Sequence, residues 1–379
     1  MVFVEVGTRM LEAGRHLGWM AETPPSTVTS AEAMRGHIDQ HGYMLLRQLV
    51  PREAVAAGCR ALAVTLRETG WLDRDREPEE LVLGPAPPGG GFMLQAQEQD
   101  RMMDSPAVRR VLAGPELMGL FRVLFGGEQP ATLDFKWFRS MCPGQASGFH
   151  MDYCYMGKGS TQLHSVWLPW HDCDTIRGGL VVLEQSNSHP AFQGVRETYG
   201  MHDYEHSNID TGVGNTVPNS GWFGRDPAEL LAFHDQARWV TAERYEAGDV
   251  VVFPMHTMHG TVTNTTGRET HSPPLLRLSC DIRFQPASAA VDPRHTIHGG
   301  PWNRAEFAAH AAAHAAAAPG LSTGAGHQPA AEGVQSIADA KRAWGVERAP
   351  LPLPLAPARA WPPLPWRRDD HAAVRAASL

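Results

Sequence analysis

Cysteine is scarce in this chain. Its five cysteines (Cys59, Cys142, Cys154, Cys173, Cys280) include no C-x-x-C pair. An odd, scattered set excludes a disulfide framework and a cysteine-ligated zinc site, and it points to free thiols in a reducing, cytoplasmic setting. Basic residues are also in deficit, 33 against 41 acidic, for a net charge of -8. No basic run occurs, so neither nucleic acid nor an anionic membrane surface is expected as a partner. No apolar run approaches membrane-spanning length. The first turns carry Glu5 and Glu12 without a long apolar stretch, so no secretory leader is expected. There is no internal repeat, and nothing in the sequence sets an oligomeric state.

What is present suits a large core. At 379 residues, 42% hydrophobic and 20% charged, one big domain with appendages is expected. Residues 1–29 end in a Pro-Pro-Ser-Thr turn and read as a loosely packed lead-in. Ser30 is a helix N-cap, with Ala33, Met34 and Ile38 on one face of a helix over 30–41 that Gly42 ends. A strand over 43–50 follows, then a helix from Pro51 to about Arg67. The breaker-rich start of 82–98 suits either a lid or a plain surface loop. Residues 105–124 form a helix pair broken at Gly114-Pro115. From 131 onward the texture is strands: 132–141, 162–170, 178–183, 250–260 and 275–284. The segment 191–240 is a long insertion rich in aromatics (Tyr199, Tyr204, Trp222, Phe223), with a helix at 226–234. It reads as a folded cover or lid. Beyond 300 the chain is low in complexity over 308–333, with a short helix near 336–344 and a Pro-rich tail. The organisation expected is a lead-in (1–29), a main domain (30–300) and a C-terminal extension (301–379). Helices first and many strands after them imply a mainly β fold with flanking helices, a cupin-like double-sheet jelly roll.

The chemistry turns on His-x-Asp. With 19 histidines and 41 acidic residues, chance supplies about two His-x-Asp/Glu matches, and two occur: His37-Ile38-Asp39 and His150-Met151-Asp152. On a helix, positions two apart diverge, so His37 and Asp39 cannot share a metal. In an extended segment they face the same way, so His150 and Asp152 can. A third ligand at the end of the apolar strand starting at Val250 completes a two-histidine, one-carboxylate face, the arrangement of non-haem Fe(II) oxygenases with open positions. His256 and His259 compete for that place. They are three apart and cannot both face His150 from one strand, and the strand-end position of His259 before Gly260 favours it.

These features together resemble the phytanoyl-CoA dioxygenase-like group of Fe(II)/2-oxoglutarate oxygenases, over roughly residues 30–290. The residues that carry the resemblance begin with His41-Gly42-Tyr43-Met44-Leu45-Leu46-Arg47 and the Pro143-Gly144 turn before His150-Met151-Asp152. They continue through Gly178-Gly179-Leu180-Val181-Val182-Leu183, Gly248-Asp249-Val250-Val251-Val252-Phe253, His259-Gly260 with Asn264, and Arg277-Leu278-Ser279. The resemblance implies a double-stranded β-helix with iron held by His150, Asp152 and His259, using 2-oxoglutarate and O2 on a small-molecule substrate. It also implies an arginine for the distal carboxylate of 2-oxoglutarate, because a guanidinium fork grips a carboxylate through two parallel charge-assisted hydrogen bonds. Arg268, Arg277 and Arg283 compete. Arg277, with the Ser279 hydroxyl on the same face, is preferred; Arg268 reads as a turn residue and Arg283 as a strand-end ion-pair partner. Trp167 falls where the family often sets an aromatic against 2-oxoglutarate, and Lys136 is a further co-substrate candidate. Arg139, Tyr153 and Trp222 are candidates for contact with substrate. Because Asp152 is retained, hydroxylation or a related oxidation is expected rather than halogenation. The alternatives are a cupin-like metal enzyme without 2-oxoglutarate and a metal-free barrel that binds a partner.

Overall fold

The helices form where caps and apolar spacing coincide. In a computed structural model that describes residues 2–85, 94, 96–199, 221–268, 273–292, 295, 342, 344, 345, 349 and 351–357, α1 (Ala31–His41) starts at Ser30, whose hydroxyl accepts from the Ala33 amide at 3.1 Å. It stops at Gly42, which has φ +87°, a left-handed conformation open to glycine at little cost. Before α1 come β1 (Phe3–Val6), β2 (Arg9–Glu12) and β3 (Leu17–Trp19); after it come β4 (Met44–Leu46) and α2 (Arg52–Glu68). The next helices are α3 (Ala96–Asp104), α4 (Pro106–Leu112) and α5 (Pro115–Leu124). The last two each carry proline in the first turn, where its missing N–H costs nothing.

The strands follow: β5 (Pro130–Thr132), β6 (Trp137–Met141), then the one-turn helix α6 (Tyr153–Met156), β7 (His164–Pro169), β8 (Cys173–Asp174) and β9 (Leu180–Leu183). Helices α7 (Gln193–Glu197) and α8 (Pro227–Leu231) lie in the long insertion, and β10 (Trp239–Thr241), β11 (Arg244–Tyr245), β12 (Val250–Pro254), β13 (His259–Thr261) and β14 (Arg277–Pro286) complete the fold. The major sheet runs β4-β12-β7-β14-β5, with β6 also paired to β14. The minor sheet runs β13-β9-β10-β3. Facing each other, they make a double-stranded β-helix.

Alternation assigns every strand residue to a layer. In the major sheet, Met44, Leu46, Val166, Leu168, Val250, Val252, Leu278, Cys280, Ile282 and Phe284 pack outward against the helices. Tyr43, Leu45, Trp167, Val251 and Phe253 turn inward to meet Leu180, Val182 and Val240 of the minor sheet. Outside the minor sheet lies a further core: Val4, Val6 and Leu11, then Phe192, Val195, Phe223 and Leu230 of the insertion, and Leu353.

Two expectations change, and one further segment finds its place. Residues 3–19, expected to be a loosely packed lead-in, are built into the barrel: β3 pairs in parallel with β10, and Val6, Leu11 and Leu17 are fully buried. The partner strand lies more than 200 residues away, so no local pattern could announce it. The stretch 250–260 is two strands, β12 and β13, joined by a turn. Part of the Pro-rich tail is ordered against β2, with the Met10 amide donating to Pro354 at 2.8 Å and the Ala356 amide to Thr8 at 2.9 Å. The breaker cluster at 86–93, Tyr204 and the rest of 200–220, the low-complexity stretch 308–333 and the helix near 336–344, apart from 342 and 344, lie outside the described residues. All five cysteines are free and buried. Among the described residues, no helix is long and apolar enough to cross a membrane.

Candidate metal and co-substrate site

His150 and His259, over a hundred residues apart in sequence, are direct cross-strand partners. The His150 amide donates to the His259 carbonyl at 2.9 Å, and the His259 amide donates back at 3.0 Å. Residues paired this way project to the same face, and the two imidazole centres are 4.3 Å apart. Each ring is fixed by its own backbone: His150 Nδ1 lies 2.9 Å from the Gly148 carbonyl and His259 Nδ1 2.9 Å from the Thr257 carbonyl. An imidazole that donates from Nδ1 presents the lone pair of Nε2. Both Nε2 atoms point at one oxygen of Asp152, Oδ1, at 3.8 and 3.9 Å. The three side chains are buried, and their ligand atoms fall within 4.8 Å of one another. Among the described residues, they are the one His/Cys/Asp/Glu group with that geometry.

The electrostatics suit a cation. Burial, and the neighbouring His259, push His150 down to about 3, and burial likewise lowers His259. Both rings are thus neutral ligands, not ion-pair partners of the carboxylate. Burial alone would raise Asp152, but Arg283 first, then the two imidazole neighbours and the Ser165 hydroxyl, bring it below the ordinary carboxylate range. Ser165 Oγ donates to Oδ2, and Arg283 Nη2 reaches Oδ1 at 3.1 Å and Oδ2 at 3.0 Å. This donor set, two neutral imidazoles and one charged carboxylate, fits a divalent iron with positions left open.

The inward row of β14 continues the site. Arg277, Ser279, Asp281 and Arg283 alternate with the outward apolar residues. Arg277 is 1% exposed. Its Nη1 donates to Ser279 Oγ at 2.5 Å, while Nε and Nη2 have no partner. Burial lowers it to about 10, so it remains a cation at neutral pH. A charged fork sunk in a barrel with unsatisfied donors is costly unless an anion meets it, so the residues present fit a dicarboxylate co-substrate as well as a metal. Asn264 braces the loop that leads to Arg277: its Nδ2 donates to the Met141 and Leu275 carbonyls at 2.9 and 2.8 Å.

The other sequence candidates are distributed as follows. Trp167 is on the inner face of β7, its ring edge-on to Tyr245 at 4.7 Å and its Nε1 without a partner. Arg139 is inward and ion-paired with Asp281 at 2.8 Å. Lys136 is not drawn to the triad. It precedes β6, and its ammonium donates to the Thr132 hydroxyl at 3.1 Å and to the Leu133 carbonyl; burial lowers it to about 8. Arg268 pairs with the buried Glu5 at 2.6 Å, and Tyr153 stacks on His256 at 4.5 Å. His256 sits in the turn after β12 and, with Asp39, His164 and Asn187, lines a cavity of about 210 Å³. Trp222 lies directly on Gly148: a Cβ there would come within 2.5 Å of the indole. Trp222 thereby covers the segment that leads into His150, where the Phe149 carbonyl accepts from the Phe223 amide at 2.7 Å. Sequence reasoning missed Ser165; it read Arg283 as an ion-pair partner, which it is, without identifying Asp152 as its mate. One signal was available for each: Ser165 lies two positions from Trp167 and Arg283 four from Ser279, so strand alternation puts each on the same face as a residue already chosen.

Comparison with known proteins identifies a family. The family model described as phytanoyl-CoA dioxygenase (PhyH) matches residues 38–272, more than half of the chain. Distant likenesses extend to solved structures. The epimerase SnoN of nogalamycin biosynthesis, described as non-heme and alpha ketoglutarate dependent, is 18% identical over 71% of this chain and 85% of its own, with a TM-score of 0.43. EctD from S. alaskensis is 18% identical over 76% and 87%, with a TM-score of 0.45. The carbocyclase SnoK, from the same pathway as SnoN, is 17% identical over 73% and 90%, with a TM-score of 0.44.

Proposed function

The chain belongs to the phytanoyl-CoA dioxygenase family and is an Fe(II)- and 2-oxoglutarate-dependent enzyme of the oxygenase type; within that class, we propose that it hydroxylates a small molecule, with release of succinate and CO2. The observation that carries the reading is the pairing of a three-ligand metal face with a buried, partly unsatisfied arginine on the same inner surface. A cupin-like enzyme that ignores 2-oxoglutarate leaves the two unpartnered nitrogens of Arg277 unexplained.

In this reading His150, Asp152 and His259 hold the metal. When bound, iron would supply binding positions for 2-oxoglutarate and O2 and the chemistry by which O2 oxidises both 2-oxoglutarate, to succinate and CO2, and the substrate. The protein's own part is positional. Arg277 and Ser279 grip the distal carboxylate of 2-oxoglutarate, and Trp167 flanks it. The Gly148 and Thr257 carbonyls hold each imidazole with Nε2 presented, and Ser165 turns the second oxygen of Asp152 away from the metal. Trp222 and Phe223, lying against Gly148 and Phe149, limit water beside His150. Arg139 and Tyr153 are substrate-side candidates. In this reading the catalytic unit extends N-terminal of residue 30 to include β3, which pairs with β10 of the minor sheet. A reducing, cytoplasmic setting fits the five free cysteines.

The test is anaerobic visible absorption of the purified protein on adding Fe(II) and then 2-oxoglutarate. A charge-transfer band in wild type, absent in His150→Ala and weakened in Arg277→Ala, is expected. Folded, iron-loaded wild type with no band rules the reading out.

A further inference from the structure

Arg283 is a cation in the site with more donors than the protein uses. It is 1% exposed. Its guanidinium lies 4.8 Å from the ring centre of Trp137, which covers one face. Nη2 is taken by Asp152, and Nη1 only grazes the Ile282 carbonyl at 3.5 Å. Nε is buried and unpartnered. A side-on fork of Nε–H with one Nη2–H is the shape that grips a carboxylate, and half of that fork is idle.

Charge points the same way. The charged groups on the inner faces of β14 and β6 are Arg277, Asp281, Arg283 and Arg139; Arg139 and Asp281 neutralise each other at 2.8 Å. In the function proposed above, on which this inference rests, the double charge of 2-oxoglutarate offsets that of Fe(II). Asp152 can then balance Arg277 or Arg283, not both. One positive charge is left in a buried site, which is costly without a counter-ion. We propose that Arg283 is a specificity-determining residue and that the substrate is a carboxylic acid, whose carboxylate docks on Arg283 over Trp137 and holds the carbon to be oxidised beside the metal face.

The experiment uses anaerobic full-length protein carrying Fe(II) and 2-oxoglutarate, with the charge-transfer band confirmed before any probe is added. Matched probes are titrated by calorimetry while the band is watched: 3-phenylpropanoate against 3-phenylpropanamide, and hexanoate against hexanamide. The expected result is that the acids bind about tenfold or more tightly than their amides, with the band shifted but retained. Arg283→Gln should bring acid and amide to within about twofold, and Arg283→Lys, which keeps the charge but not the fork, should retain part of the preference. The proposal is overturned if no acid binds, if amides bind as well, if the acid acts only by displacing 2-oxoglutarate and bleaching the band, or if Arg283→Gln keeps the preference. Should Arg283→Gln fail to fold, the wild-type pairs and Arg283→Lys decide. Absence of the band in wild type is seen before any probe and marks failure of the oxygenase reading itself, which takes this proposal with it.

Discussion

The two faces of β14 carry opposite chemistry on one backbone. Outward, Leu278, Cys280, Ile282 and Phe284 join the helix-covered core, and Phe284 stacks on Phe121 at 4.3 Å. Inward, Arg277, Ser279, Asp281 and Arg283 meet other polar groups, and three of their buried nitrogens have no partner. Outward residues are saturated with contacts and stabilise the fold. Inward residues carry a desolvation cost that protein partners offset only in part, leaving those three nitrogens for ligands. The separation depends on register, because a slip by one residue would exchange the two sets. The six-residue antiparallel ladder with β7, from Ser279↔Pro169 to Phe284↔His164, sets that register.

The comparison can be broken from either side. The largest effect is expected from His150→Ala, which should abolish both the 2-oxoglutarate band and the rise in melting temperature that Fe(II) gives wild type. Retained metal-dependent stabilisation would place the metal elsewhere. Next, Phe284→Ala on the outward face should cost about 3–5 kcal/mol in denaturant unfolding, while the folded fraction still forms the band. Loss of the band in protein that remains folded would mean that the two faces are not separable. Third, Arg277→Ala should weaken 2-oxoglutarate binding about 100-fold by titration of the band. Without co-substrate its melting temperature should match or exceed that of wild type, since a buried, half-satisfied cation has been removed. A marked drop would show Arg277 to be structural. The smallest effect is that of Ser165→Ala, which removes only a hydrogen bond to the metal carboxylate. Metal affinity should fall about tenfold, with little change in stability.

Much of this was readable locally. Ser30, Gly42, Pro51 and Gly114-Pro115 mark helix ends because a cap is a short-range event, and α1, α2, α4 and α5 lie where those signals put them. The strands were located but overextended: residues 250–260 read as one apolar strand and are two. Alternation made His150 and Asp152 a plausible pair and separated them from His37 and Asp39, which are on α1. It did not decide which side of the sheet is the barrel interior, so Lys136, which ends against Thr132 and Leu133, was indistinguishable in sequence from Arg139, which points inward.

The sequence by itself determined the helices α1, α2, α4 and α5 and the run of strands after them, the metal-ligand residue types and the family to which their spacing belongs, since these depend on local propensity, periodicity and motif spacing. Tertiary structure alone decided the backbone pairing of His150 with His259, the inclusion of β3 in the minor sheet, the hold of Ser165 and Arg283 on Asp152, and the unsatisfied fork of Arg277. Each of these depends on contacts between segments far apart in the chain, and on which donors are left over once those contacts are made.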